Sequence, residues 1–284
     1  MSIHISTNKL ANTRVLIVGG TSGIGFAVAR VALEHGASII VASSKSDKVN
    51  SAITRLKSFY PDEEYTNRIA GTVCNLADRE TLEANVVNLY NFATTPDAFP
   101  HAQRTQITGA TDGKVLLDHV VMTAGDALGL LKPTDPTFDV PYIESSGTVR
   151  FIGSLILAKH APSYVHQAPS SSLTFTSGVL TTRPAPGWTL VAATGSAIEG
   201  MARGLAVDLA PIRVNTVSPG AVLTEIFGTL ETDNLEKMLE MIRGQTLTGE
   251  IGKPEDVAEA YLYAMKDRFV TGELIRSNGG KLLK

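Results

Sequence analysis

The stretch Val15-Leu16-Ile17-Val18-Gly19-Gly20-Thr21-Ser22-Gly23-Ile24-Gly25 leaves this chain few folds to choose from. Four apolar residues in succession, three of them β-branched, read as a strand buried on both faces, as in a parallel sheet. A glycine-rich turn follows at once, and Phe26 to His35 reads as a helix that stops at Gly36. Strand, glycine turn and helix in this order seat a pyrophosphate. The glycines let backbone N–H groups approach the phosphates, and the helix N-terminus supplies partial positive charge. With 284 residues, 43% of them hydrophobic, one well-buried domain is expected over the whole chain. Its class is α/β, a doubly wound parallel sheet.

Bulk properties exclude several functions. A formal charge of -3 gives no electrostatic case for nucleic acid or a membrane surface. The single cysteine, Cys74, rules out an internal disulfide and reads as a buried bystander in an apolar strand. The six histidines show no paired spacing, so no metal site is expected. No signal-peptide pattern and no apolar run long enough to span a bilayer is present, so the cytosol is the expected setting.

The second strand, Ser38 to Ala42, bears on cofactor choice. An acid about twenty residues past the glycine loop would accept hydrogen bonds from the ribose hydroxyls of NAD. Here the strand ends in Ser43-Ser44-Lys45-Ser46, with no acid until Asp47. Hydroxyls plus a cation suit a 2′-phosphate, so NADP(H) is favoured over NAD(H), an ordinary polar turn being the alternative. Further along, Lys48–Phe59 and Thr81–Phe92 read as helices, and Ile69–Leu76 and Lys114–Thr123 as strands. The Thr-, Ala-, Pro- and Gly-rich segment 93–113 reads as an inserted surface loop, since it lacks apolar residues for a core. Ile143–His160 reads as one long helix and Ser172–Ser177 as the fifth strand.

The spacing Gly19-x-x-x-Gly23-x-Gly25 resembles the short-chain dehydrogenase/reductase family, whose fingerprint is T-G-x-x-x-G-x-G, with Val18 in place of the threonine. The resemblance extends along nearly the whole chain. Met122-Thr123-Ala124-Gly125 stands where the family has Asn-Asn-Ala-Gly. Arg213-Val214-Asn215, Pro219-Gly220 with Thr224, and the ending from Gly252-Lys253-Pro254 to Gly279-Gly280 are also family-like. It implies cofactor contacts at Gly19, Thr21, Ser22, Gly23, Ile24 and Gly25, at Ser43, Ser44 and Lys45, and at Asn75 and Leu76 beside the adenine. It further implies Ala124 and Gly125 near the ribose, and Pro219, Gly220 and Thr224 against the nicotinamide and pyrophosphate.

In the register set by Pro186-Gly187 and by Ala197-Ile198-Glu199-Gly200, the family's Tyr-x-x-x-Lys falls on Val191 and Gly195. The usual serine falls on Gly178 and the helix asparagine on Ser146. In the family the tyrosine moves a proton at the carbonyl oxygen, and the lysine lowers its pKa from about 10. Valine and glycine do neither. Ser177 adjoins the vacated serine position, but strand neighbours point to opposite faces.

Three readings follow. One is an NADPH-dependent biosynthetic reductase whose acceptor, such as an iminium ion, needs no proton donor. The second is a cyclase of Pictet–Spengler or Diels–Alder type that keeps the cofactor as a scaffold, and the family includes fungal alkaloid-tailoring members of both kinds. The third is a non-enzymatic NADP(H)-binding regulator. Asp126, just past Gly125, is the candidate base or counter-ion, with a loop cap as its alternative. Arg150, four residues past Ser146 and so on one helical face with it, is the second candidate catalytic residue. Arg183 and Trp188 are weaker candidates to line the site. Segment 225–245 reads as a substrate lid, with Leu235, Met238, Leu239 and Ile242 on one face and Met238 and Met241 adaptable, suiting a bulky apolar small molecule. Family analogy implies a homo-dimer or homo-tetramer through the helices at Ile143–His160 and Thr194–Leu209.

Overall fold

The computed structural model describes residues 6, 8–99, 113–126, 130–225 and 232–284. Positions 100–112 of the expected surface loop, 226–231 of the expected lid and the side chain of Leu235 lie outside the described residues.

Seven strands form one all-parallel sheet: β1 (Arg14–Val18), β2 (Ser38–Ser43), β3 (Ile69–Val73), β4 (His119–Met122), β5 (Ser172–Thr176), β6 (Arg213–Pro219) and β7 (Leu274–Ser277). Their order is β3-β2-β1-β4-β5-β6-β7. The order reverses between β1 and β4, which is where open α/β sheets bind ligands beyond the strand ends. The helices are α1 (Gly23–Glu34), α2 (Ser46–Phe59), α3 (Glu63–Thr66), α4 (Leu82–Thr94), α5 (Val140–Ser145), α6 (Gly153–His160), α7 (Thr189–Asp208), α8 (Thr232–Arg243) and α9 (Pro254–Lys266).

The alternation of β1 builds two cores. Val15 and Ile17 pack with Phe26, Val28 and Leu33 of α1 and with Tyr261 of α9. Leu16 and Val18 pack on the other face with Val86 and Leu89 of α4, Leu157 of α6 and Ile198 of α7. All five residues of β1 are buried, as the apolar run predicts. Two buried arginines fix the bases of strands. Arg14 donates to the carbonyls of Ala93 and Thr95, and Arg213 to those of Pro169, Ala264, Met265 and Val270, so each satisfies carbonyls where a helix ends. Cys74 is buried just past β3, and burial pushes its thiol up to about 11, which leaves it inert.

The expected helix Ile143–His160 is broken. The chain forms α5, turns through Gly147 at φ +81°, runs through a π-helical stretch at Thr148–Ile152, and only then enters α6. Glycine takes the left-handed conformation at little cost, so the break falls there. Ser146 caps α5 and Arg150 lies in the π stretch, so the two do not share a helical face as the spacing suggested. Among the described residues, no helix is long and apolar enough to cross a membrane, and no cluster of side chains could hold a metal ion.

Candidate active site

The glycine loop is held tightly at the sheet's switch point. Gly19 N–H donates to Ala42 O at 2.8 Å and Ala124 N–H to Val18 O at 3.0 Å, tying the ends of β1, β2 and β4. A Cβ on Gly19 (φ +89°) would fall 2.4 Å from Ala124 N, and one on Gly25 would fall 2.2 Å from Gly19 O. Thr21 is buried in the turn, whereas Ser22 is exposed as the N-cap of α1 and makes no side-chain cap bond. Gly23 and Ile24 are half-buried at the helix start. A side chain at 19 or 25 would fill this cradle, so the loop fits a pyrophosphate approaching backbone N–H groups.

The other candidate cofactor residues lie on the same edge of the sheet. Ser43 ends β2, and Ser44 and Lys45 are exposed before α2, whose N-cap, Lys45, makes no side-chain cap bond. The first N–H groups of α2 and this cation thus suit a 2′-phosphate. Asn75 turns its Oδ1 onto the N–H of Ala77, and Leu76 is buried against Gly153. Pro219 ends β6, Gly220 N–H donates to Ser277 O at 2.8 Å, and Thr224 rests on Gly23.

Val191 and Gly195 lie in α7, and a Cβ on Gly195 would fall 2.5 Å from Thr181 Cγ2. The space a side chain at 195 would enter is therefore taken by Thr181. Ser177 and Thr181 both donate to Glu199 Oε1, at 2.9 and 2.7 Å, which ties the end of β5 to α7. Glu199 carries no motif signal of its own in this role; only its packing reveals it.

Asp126 and Arg150 are brought together. The Asp126 carboxylate accepts from Val149 N–H at 2.9 Å and Arg150 N–H at 3.1 Å, so it caps the π stretch. The Arg150 guanidinium lies on Gly125, whose Cβ position it would contact at 1.8 Å. Burial lowers the pKa of that guanidinium, while Asp126 and then Tyr261 act to raise it. Tyr261, fully buried, donates to Thr176 Oγ1 at 2.7 Å, and Thr176 donates to Met122 O. Burial raises the pKa of this phenol, which holds it protonated. Arg183 is occupied elsewhere, on the carbonyls of Lys281 and Lys284, and Trp188 is the N-cap of α7. In the expected lid, Leu239 and Ile242 are buried while Met241 is exposed.

A model of the SDR-like Rossmann domain matches residues 6–99 and 106–284. The chain is 40% identical over 279 residues to the short-chain dehydrogenase/reductase malC of Malbranchea aurantiaca, covering 98% of each. It is 41% identical over 278 residues to the short-chain dehydrogenase/reductase fsr5 of Gibberella fujikuroi, covering 97% of each. Among solved structures, that of the MalC reductase/Diels-Alderase of Malbranchea aurantiaca superposes with a TM-score of 0.85 at 38% identity, covering 98% of this chain and 100% of that one. A small-chain dehydrogenase solved with NADPH superposes at 0.69 with 25% identity, covering 96% and 100%. Glycine cradle, strand order and these likenesses agree: the chain belongs to the short-chain dehydrogenase/reductase family and carries its NADP(H)-binding Rossmann domain.

Proposed function

We propose that this protein is an NADPH-dependent biosynthetic reductase whose acceptor carries its own positive charge, such as an iminium ion. The observation that supports the reading is the filled space at Gly195, whose Cβ would fall 2.5 Å from Thr181 Cγ2, together with Val191 and Gly178, which carry no titratable proton at the positions the family register gives to the tyrosine and serine. NADPH, when bound, would supply a hydride from its nicotinamide ring. An iminium nitrogen already bears the charge that the hydride neutralises, so no acid is needed at the acceptor. Asp126 uses two of about four lone-pair sites on backbone N–H groups and keeps the rest for a cationic ligand. Arg150, held on Gly125, offsets that carboxylate and favours acceptors that present electron-rich atoms beside the cation. A bulky apolar substrate under α8, a homo-oligomer built on α6 and α7, and a role in alkaloid biosynthesis belong to the same proposal.

A scaffold role for the cofactor in a cyclisation is the second reading. It is supported by the likeness to a structure described as a reductase/Diels-Alderase. Single-turnover absorbance at 340 nm with bound NADPH separates the two. Oxidation by cyclic iminium compounds but not by carbonyl compounds supports the reductase. Tight NADPH binding with cyclised product and unchanged absorbance supports the scaffold. Equal oxidation by simple carbonyl compounds would overturn both.

A further inference from the structure

We propose that Glu225 is a built-in anion that occupies the pyrophosphate cradle of the cofactor-free protein and is displaced when NADP(H) binds, Arg55 then passing from Glu225 to the incoming phosphate. The proposal rests on the NADP(H) reading of the glycine loop. The first N–H groups of α1 have no acceptor within the helix, and Ser22 supplies none from its side chain. The acceptor comes from the far end of the sequence. Glu225 Oε2 takes the N–H of Gly23 at 2.9 Å, and Arg55 stands 4.0 Å from the other carboxylate oxygen. Arg55 is itself placed by the Phe26 ring, 4.1 Å below its guanidinium.

The segment that delivers Glu225 is anchored. Leu223 N–H donates to Gly252 O and Gly252 N–H to Ala221 O, at 2.8 and 3.0 Å, and Thr224 packs on Gly23. The carboxylate therefore sits one residue beyond a fixed backbone, on the donor that a phosphate would use. A carboxylate and a pyrophosphate cannot share that donor, and their like charges oppose joint occupancy. An adjoining groove of about 360 Å³, lined in part by Phe26, Arg30, Phe59 and Pro254, gives the displaced side chain room. Because the cradle is open to the cofactor only while Glu225 is out, the measured affinity is lowered by the fraction of molecules in which it is in.

The test is titration of cofactor-free protein with NADPH and with NADH, followed by calorimetry. Glu225→Gln keeps an acceptor but loses the charge, and is expected to tighten both by the same factor, about two- to fivefold, the effect of one exposed charge. Arg55→Ala made in the Glu225→Gln protein is expected to weaken both by a similar factor. Unchanged or weaker binding by Glu225→Gln, beside a parent that binds, overturns the proposal. A gain confined to NADPH also overturns it, because Glu225 would then act on the 2′-phosphate. If neither parent nor variant binds either nucleotide, the cofactor reading itself fails and the displacement with it. Glu225→Ala, checked for fold by circular dichroism, guards against a fault peculiar to glutamine.

Discussion

Replacing Gly25 by alanine puts one methyl group where the protein has no room. The added Cβ would lie 2.2 Å from Gly19 O and 2.4 Å from Thr123 Oγ1, far inside the 3.4 Å at which ordinary contact begins. The closest of these atoms is backbone, so the turn itself must move. Moving it strains the Gly19 N–H···O bond to Ala42 and the Ala124 N–H···O bond to Val18, each about 1 kcal/mol net. Overpacking adds about 1–3 kcal/mol, while alanine returns about 1 kcal/mol of helix propensity at this position of α1. The expected net loss is about 2–4 kcal/mol by denaturant unfolding. Displaced N–H groups no longer converge on a phosphate, so NADPH affinity is expected to fall at least about 100-fold, or 2.7 kcal/mol. Gly204→Ala is the matched control: it is also helical, in α7, with nothing within 4 Å of its Cβ position. It should gain up to about 1 kcal/mol and bind NADPH as the parent does. If Gly25→Ala binds NADPH as tightly as the parent and is equally stable, the cradle has been misplaced.

Asp126→Ala should lose about 1–2 kcal/mol as a lost cap, whereas Asp126→Asn keeps an acceptor and most of the stability. Both should slow single-turnover oxidation of NADPH by a cationic acceptor, and an Asn variant at parental rate would reduce Asp126 to a cap. Arg213→Met strips four carbonyls of a donor and should cost about 3–5 kcal/mol in chemical denaturation. His119 is fully enclosed, and burial pushes its pKa down to about 3. The unfolded chain takes up a proton there below about pH 6.5 and the folded one does not. Stability is therefore retained above that pH and lost as pH falls from 6.5 toward 3, by about 1 kcal/mol at pH 5.5. His119→Gln should flatten this part of the pH profile relative to the parent.

The amino-acid sequence by itself determined the parallel sheet and the glycine-rich turn at the end of β1. Buried strands announce themselves by unbroken apolar runs such as Val15–Val18, and a phosphate cradle needs glycines at fixed short spacing, here 19, 23 and 25. Both signals are local, so a linear reading captures them. That Val191, Gly195 and Gly178 carry no titratable group is read from the sequence in the same way, while their standing at the family's tyrosine, lysine and serine belongs to the proposal. Tertiary structure alone decided what surrounds these positions. Thr181 closes over Gly195, and Asp126 reaches the N–H groups of residues 149 and 150, so that the expected helix at 143–160 breaks at Gly147. Glu225 meets Gly23 from 202 residues away, and Arg213 gathers carbonyls from two separate segments. Hydrogen-bond partners so distant in the chain leave no periodicity or spacing behind. Their choice follows from which unsatisfied backbone groups the folded sheet and helices bring within reach.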